Sequence, residues 1–184
     1  MSPLAADYPS WKFYPSRARP PDWVDPLIAA FKAAQPVLDS REHQGITSDA
    51  ALAALRPSLV ALGFEVEAGK RKADKIRRPV LFGELGAEDL AYEVDGFHAG
   101  DGIALEVEAG RGARGNAVYR DLVEASLLVD ARYLVLAVQL AYSHKSAGRP
   151  ISVRSYADSR NLFEAIYASS RLVLPLEGVL LVGY

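Results

Sequence analysis

The chain of 184 residues contains no cysteine, one methionine and two tryptophans. The absence of cysteine excludes disulfides, zinc–thiolate sites and thiol catalysis. No apolar stretch approaches the roughly 20 residues that a membrane-spanning helix needs. The first residues also lack a basic segment followed by an apolar run, so no secretory signal is expected. These absences predict a cytoplasmic protein with no membrane partner.

Strong net charge is also missing, because the formal net charge is only −2. The overall charge therefore gives no argument for nucleic-acid binding, and any such argument must come from local clusters. The three histidines are far apart in sequence and show no metal-ligand spacing. No GxSxG, P-loop or Rossmann fingerprint occurs. Hydrophobic residues make up 50% of the chain and charged residues 24%, as in an ordinary globular protein.

The pattern of proline and apolar residues predicts the elements. The first 25 residues are rich in Pro, Tyr and Trp and predict an extended N-terminal arm, followed by a single domain over 26–184. Helical spacing begins near Val24, and a second helix is expected from Thr47 to Leu62, before Gly63. Beyond Gly63 the period of the apolar residues changes to two, which is typical of β-strands. The predicted order, α-α-β-β-β-β-α-β-α-β, is typical of an α/β fold with a mixed sheet and helices on both faces.

The pentapeptide EVEAG occurs twice, at 65–69 and 106–110. No further similarity surrounds the two copies, so an internal repeat is rejected. The first copy leads into the basic segment KRKADKIRR, and we expect Glu65 and Glu67 to lie on a solvated strand face. The second copy follows another acidic strand and is the more informative one.

The segment YEVDGFHAGDGIALEVEAG, residues 92–110, predicts a β-hairpin. A loop at Gly100-Asp101 would place Asp95 opposite Glu106 and Glu93 opposite Glu108. A loop at Asp101-Gly102 would instead place Asp95 opposite Glu108. Either two-residue loop gathers the acidic side chains on one face, whereas a bulge or a three-residue loop would not. We expect His98 to be an exposed residue of the turn.

Clustered carboxylates on one strand face repel each other, and such oxygen-rich sites suit Mg²⁺, Mn²⁺ or Ca²⁺. The alternative is a solvated polar face of an antiparallel hairpin. Basic residues nearby would contact an anionic substrate, or alternatively form a solvated loop. These candidates are Lys70, Arg71, Lys72, Lys75, Arg77, Arg78, Arg111, Arg114 and Arg120.

An aspartate on a meander strand, a hairpin turn, Glu-x-Glu on the next strand, a helix and a buried strand together resemble the PD-(D/E)xK restriction-endonuclease-like superfamily. The resemblance covers residues 47–138 and implies a restriction-endonuclease-like α-β-β-β-α-β core. Asp95 would be the first acid and Glu106 the second. Glu108 stands where lysine is usual, as in some type II restriction enzymes, and Val94 replaces the usual proline.

The resemblance implies phosphodiester hydrolysis of DNA with Mg²⁺ or Mn²⁺ as cofactor, and it leaves RNA open as a substrate. Asp95, Glu106 and the Val107 backbone carbonyl would bind the metal, and Glu108 would orient water or bind a second metal. Glu93 would add an outer carboxylate. The following helix would face the substrate through Asn116 and Arg120. A homodimer is one option, since enzymes of this type often cut two strands as dimers.

Two further hypotheses differ in class. One is a catalytically silent protein of the same fold that binds nucleic acid or another protein. The other is an interaction module whose acidic hairpin is merely surface.

Overall fold

The computed structural model describes residues 8–110, 116–146, 149–169 and 171–184. Within them the chain forms an α/β fold with four α-helices and ten β-strands. In chain order the elements are β1 (Ser10–Tyr14), α1 (Val24–Leu38), α2 (Ser48–Ala61), β2 (Glu65–Val66), β3 (Ile76–Phe82), β4 (Glu88–Val94), β5 (Gly96–His98), β6 (Ile103–Glu108), α3 (Ala117–Leu127), β7 (Tyr133–Val138), β8 (Tyr142–Ser146), β9 (Arg149–Val153), α4 (Ser155–Ala168) and β10 (Gly178–Gly183). None of the helices in these ranges is long and apolar enough to cross a membrane.

Six strands form a mixed sheet in the order β1-β10-β7-β6-β5-β2. The three central strands β10, β7 and β6 are parallel, and the outer strands pair antiparallel. One face packs against α1 and α2, and the other against α3 and α4. The mixed sheet with helices on both faces agrees with the architecture expected from the sequence.

Local signals account for the helix bounds. The Thr47 hydroxyl accepts a hydrogen bond from the Ala50 amide at 3.2 Å and caps α2. Gly63 ends this segment with φ of +93°. In α3, Val118 and Leu122 are buried as the helical spacing predicts. Val129, expected on the same stripe, lies beyond the end of α3 and is exposed.

Three elements differ from the expected order. The segment predicted as an extended arm contributes β1, which pairs antiparallel with β10 at the sheet edge. The β8–β9 hairpin was not expected, because its sequence is mostly polar and has no apolar alternation. The predicted strand through 90–97 bends at Asp95 and divides into β4 and β5, which belong to different sheets.

Strands β3 and β4 form a separate hairpin that projects from the body. Its base is fixed by a 3.0 Å hydrogen bond from the Val129 amide to the Pro79 carbonyl. Arg78 forms an ion pair with Asp130 at 3.1 Å, and its guanidinium lies 3.9 Å from the Phe97 ring centroid. Beyond this base, all ten residues from 81 to 90 are exposed.

The β5–β6 hairpin has the register that a Gly100-Asp101 loop predicts, with Phe97 opposite Ala104. Gly102 closes the turn at φ of +65°, and its carbonyl accepts hydrogen bonds from the Arg132 and Tyr133 amides. The turn is thereby joined to the start of β7. This connection fixes the register that brings the acidic residues together.

Replacing Gly102 with alanine should destabilise the fold by about 3 kcal/mol, because a side chain at positive φ is strained and the new Cβ meets backbone. That Cβ would lie 2.6 Å from the Asp130 carbonyl oxygen. Gly45→Ala is the matched control, since Gly45 has φ of +75° and a Cβ added there would have no neighbouring atom within 4 Å. The Gly45→Ala variant should lose about 1 kcal/mol of unfolding free energy. Urea unfolding measures both, and equal losses would contradict the role of the close contact.

Candidate functional site

An open pocket of about 340 Å³ lies between α3, the bend at Asp95 and the base of the β3–β4 hairpin. Its walls carry an excess of negative charge, with six carboxylates and two cations. The carboxylates are Glu67, Glu93, Asp95, Glu106, Asp121 and Glu124, and the cations are Lys75 and Arg120. The pocket therefore unites three of the predicted site acids, Glu93, Asp95 and Glu106.

Asp95 occupies the bend between β4 and β5, where the chain rejoins the main sheet. Its carboxylate accepts a 2.8 Å hydrogen bond from the Val107 amide, and its carbonyl accepts one of 2.8 Å from the Glu67 amide. Both backbone and side chain are therefore held between β2 and β6. The Val107 group that contacts Asp95 is its N–H, whereas the predicted metal ligand was its carbonyl.

Strand alternation directs Glu106 towards α3. Leu105 and Val107 are buried on the face of the sheet that carries α1 and α2, and Ala104 on the opposite face. Glu106 therefore shares the α3 face with Ala104, as the period-two pattern predicts. In the part of the chain that the structure describes, no hydrogen bond to the Glu106 carboxylate occurs.

Helix α3 supplies Asp121, which the sequence analysis missed. Its side chain is 1% exposed, and its Oδ2 atom has no hydrogen-bond partner. The signal was present in the sequence, because Asp121 lies three residues after Val118 and four before Ala125 on the apolar stripe of the helix. An acid on such a stripe faces the sheet rather than solvent.

Glu108 and Arg120 form the edge of this acidic cluster. The Arg120 guanidinium lies 3.0 Å from the Glu108 carboxylate and 2.8 Å from the Asp121 carboxylate. The Glu108 carbonyl accepts a hydrogen bond of 3.0 Å from the Tyr184 hydroxyl. Arg120, predicted to contact substrate, is thus bound to two carboxylates of the cluster.

The carboxylates of the cluster resist ionisation. Burial, aided by the charges of Glu67 and Asp121, raises the pKa of Asp95 to about 6. Burial and then the charge of Asp121 raise the pKa of Glu108 to about 7. The pKa of Glu106 is raised well above its ordinary value by burial and then by repulsion from Asp95. The largest shared cause is burial, and neighbouring negative charges add to it.

The first EVEAG copy also reaches this pocket, which corrects the expectation of a solvated face for Glu67. Its carboxylate is 13% exposed and forms an ion pair with Lys75 at 2.7 Å. The Arg56 guanidinium on α2 donates to the Glu67 carbonyl. Glu65 remains exposed on β2, as expected. Because β2 and β6 both flank β5, the two copies of one pentapeptide meet at a single site.

The basic segment does not form one surface. Lys75 lines the pocket, and Arg78 lies against Phe97. The others are exposed, and three of them form ion pairs, Lys70 with Asp49, Arg71 with Asp74 and Arg77 with Glu88. These others are Lys70, Arg71, Lys72 and Arg77. The strand β3 separates the group, because Arg77 and Arg78 lie on it rather than in a loop.

The remaining predicted site residues lie at the rim of the acidic pocket or outside the pocket. Glu93 is on β4 opposite Arg77 rather than opposite Glu108, because the chain bends between β4 and β5. It still lines the pocket, 3.9 Å from the Lys75 ammonium. Asn116 is exposed and precedes α3. The predicted Arg111 and Arg114 lie outside the described residues.

His98 is 20% exposed at its side chain, packs beside Phe64 and accepts a 3.1 Å hydrogen bond from the Asp101 amide. It therefore stabilises the turn, although it is less exposed than expected.

The donor chemistry of the pocket suits a hard divalent cation, since its free groups are carboxylate oxygens. The buried, unpartnered Oδ2 of Asp121 and the raised pKa values of Asp95 and Glu106 fit such an ion. In the described residues, no three or more His, Cys, Asp or Glu side chains are arranged to hold a metal as they stand. Binding would therefore require the carboxylates to move closer together.

The raised pKa values predict that stability falls with rising pH. Folded Asp95 has a pKa of about 6 against an ordinary 3.8, and Glu108 about 7 against 4.5. The folded state therefore binds protons more tightly than the unfolded state. The resulting contribution to the free energy of unfolding is fully present below about pH 4 and is lost as the pH rises through 6 to 7.

In buffer that contains a metal chelator, Asp95→Asn should reduce the fall in the free energy of unfolding between pH 4 and 8 by at most about 3 kcal/mol. Urea unfolding at each pH measures the difference. Glu42→Gln is the control, because Glu42 is exposed and outside the pocket. A pH dependence identical in wild type and Asp95→Asn would contradict the electrostatic account.

The chain was compared with known proteins at three levels. No protein-family model, no curated protein and no solved structure matches it. The residues of the acidic pocket are therefore the basis on which a function is assigned.

Proposed function

We propose that the acidic pocket binds Mg²⁺ or Mn²⁺ and that the protein is a metal-dependent phosphodiesterase acting on DNA, with a restriction-endonuclease-like core. The observation that carries the proposal is the convergence of three partly or fully buried carboxylates in one open pocket. They are Asp95 from a strand bend, Glu106 from β6 and Asp121 from α3. Such a cluster is costly to ionise without a cation.

The topology supports this core. Strands β2, β5, β6 and β7 are neighbours in the sheet, with antiparallel pairs up to β6 and a parallel β6–β7 pair. Helix α2 precedes β2, and α3 connects β6 to β7. The order is therefore α-β-β-β-α-β when the β3–β4 hairpin is taken as an insertion between β2 and β5.

The charge of the pocket supports a metal requirement. Six carboxylates face two cations, and Lys75 and Arg120 already form ion pairs with Glu67 and with Glu108 and Asp121. A phosphate would be repelled from this surface. A divalent cation held by Asp95, Glu106 and Asp121 would polarise a phosphoryl oxygen and lower the pKa of a water molecule.

The resembled motif carries a lysine where this chain carries Glu108, and Lys75 supplies a positive charge from another part of the pocket wall. Its ammonium lies between the carboxylates of Glu67, at 2.7 Å, and Glu93, at 3.9 Å. The hydrogen bond to Glu67 raises the pKa of Lys75, so the ammonium stays protonated. In this proposal Lys75 stabilises negative charge on the phosphate, and Glu108 accepts a proton or orients water.

Metal binding is tested by thermal unfolding with Mn²⁺ and Mg²⁺. The melting temperature of the wild type should rise, with stabilisation of about 2.7 kcal/mol at a metal concentration 100 times Kd. Asp95→Asn and Glu106→Gln should abolish most of the rise, and Glu42→Gln should retain it. The rise should be larger at pH 8 than at pH 5, since the ligands must be deprotonated. No shift at millimolar metal would overturn the proposal.

Cleavage is tested with supercoiled plasmid in Mn²⁺. Wild type and Glu42→Gln should nick the plasmid, and Asp95→Asn and Glu106→Gln should not. Lys75→Met should keep the metal-induced rise in melting temperature but lose about 100-fold in nicking rate, since removal of one charge-stabilising donor costs that order. A metal-induced shift without nicking of DNA or RNA would instead support a catalytically silent protein.

A further inference from the structure

A second surface of the molecule is apolar and lies away from the acidic pocket. Of the thirteen large apolar side chains that are exposed in the described residues, ten fall on three neighbouring segments. Four lie on the tip of the β3–β4 hairpin, four on α3 and just beyond it, and two at 172–173. Monomeric proteins rarely expose apolar area that is concentrated in this way.

One part of this surface is concave. The outer face of α3, the end of α4 and the segment 172–175 form an apolar groove of about 270 Å³. Tyr119, Val123 and Leu127 follow one another at helical spacing along its wall, and Leu172 and Val173 form the other side. Arg171 directly precedes Leu172 of the groove wall, is exposed and forms no ion pair with the described residues.

The other part is convex. The hairpin tip, residues 81–90, carries Leu81, Phe82 and the fully exposed Leu85. The same ten residues include three acids and no basic residue. A nucleic-acid partner is disfavoured at this tip because phosphates would be repelled. Apolar side chains with acidic neighbours suit an apolar groove that has the exposed cation Arg171 next to its wall.

We infer that the hairpin tip of one copy docks in the α3 groove of a second copy, so that the protein forms a two-fold symmetric dimer. The hairpin base is joined to the end of α3 by the Val129–Pro79 hydrogen bond. Tip and groove therefore lie on the same side of the sheet, and two copies can exchange both contacts in one closed, isologous interface.

The apolar surface is also large enough to form a standard protein–protein interface. The tip, the outer face of α3 and the segment 171–175 present roughly 20 residues, which is what a standard interface takes from each partner. The apolar centre with charged groups at its margin has the composition of a stable interface. The inference does not depend on metal binding or on cleavage, and it would stand if the proposed function failed.

Sedimentation equilibrium from about 1 to 100 µM tests the dimer, since it covers micromolar dissociation constants. The wild type should be dimeric at the upper concentrations. Leu85→Asp on the tip, and Val123→Asp or Val173→Asp in the groove, should each weaken association at least about tenfold. Val60→Asp is the control, because Val60 is equally exposed on α2, on the opposite face of the sheet. Circular dichroism confirms that the variants fold.

Mixing the variants tests the tip-to-groove pairing. A mixed dimer of Leu85→Asp and Val123→Asp keeps one intact tip–groove contact, whereas either variant alone keeps none. The mixture should therefore associate more tightly than each variant alone. A monomeric wild type at 100 µM, an equal loss in Val60→Asp, or a mixture no tighter than its components would overturn the inference.

Discussion

The burial of several carboxylates in one pocket is the constraint on which the rest of the molecule depends. Asp95, Glu106 and Asp121 face one another across a pocket, and burial is the main reason that ionisation is disfavoured there. An unpaired carboxylate in such surroundings costs more than a surface one. The fold tolerates this because Val107, Lys75 and Arg120 each satisfy part of the charge, and it leaves oxygen atoms without partners.

The bend at Asp95 links this electrostatic cluster to the overall shape. The chain leaves the main sheet after β2 and rejoins it at β5, and the pocket lies beside the bend at Asp95 where it rejoins. The same departure creates the projecting β3–β4 hairpin, whose base supplies Lys75 and Glu93 to the pocket wall. One local irregularity thus shapes both the acidic site and the apolar tip. The two surfaces therefore share one structural origin.

The errors of sequence interpretation have identifiable physical causes. Strand β1 lies in a proline-rich segment, and its pairing with β10 spans almost the whole chain, so no local pattern indicates it. The β8–β9 hairpin is polar and lacks alternation. The basic segment was expected to contact an anionic substrate or to form a solvated loop, but β3 begins within it, and Lys75 and Arg78 have different neighbours. In each case long-range packing decided what local composition could not.

The sequence by itself determined the mixed α/β architecture and, given a two-residue loop, a common face for Asp95 and the glutamates of β6, while it left two registers of the β5–β6 hairpin open. These follow from local rules, because a two-residue loop and the two-residue period of a strand fix which side chains share a face. Only the tertiary structure brought Glu67, Lys75 and Asp121 to the same pocket. Their positions depend on the pairing of β2 with β5 and on the packing of α3 against β6, and contacts between distant segments leave no period in the sequence.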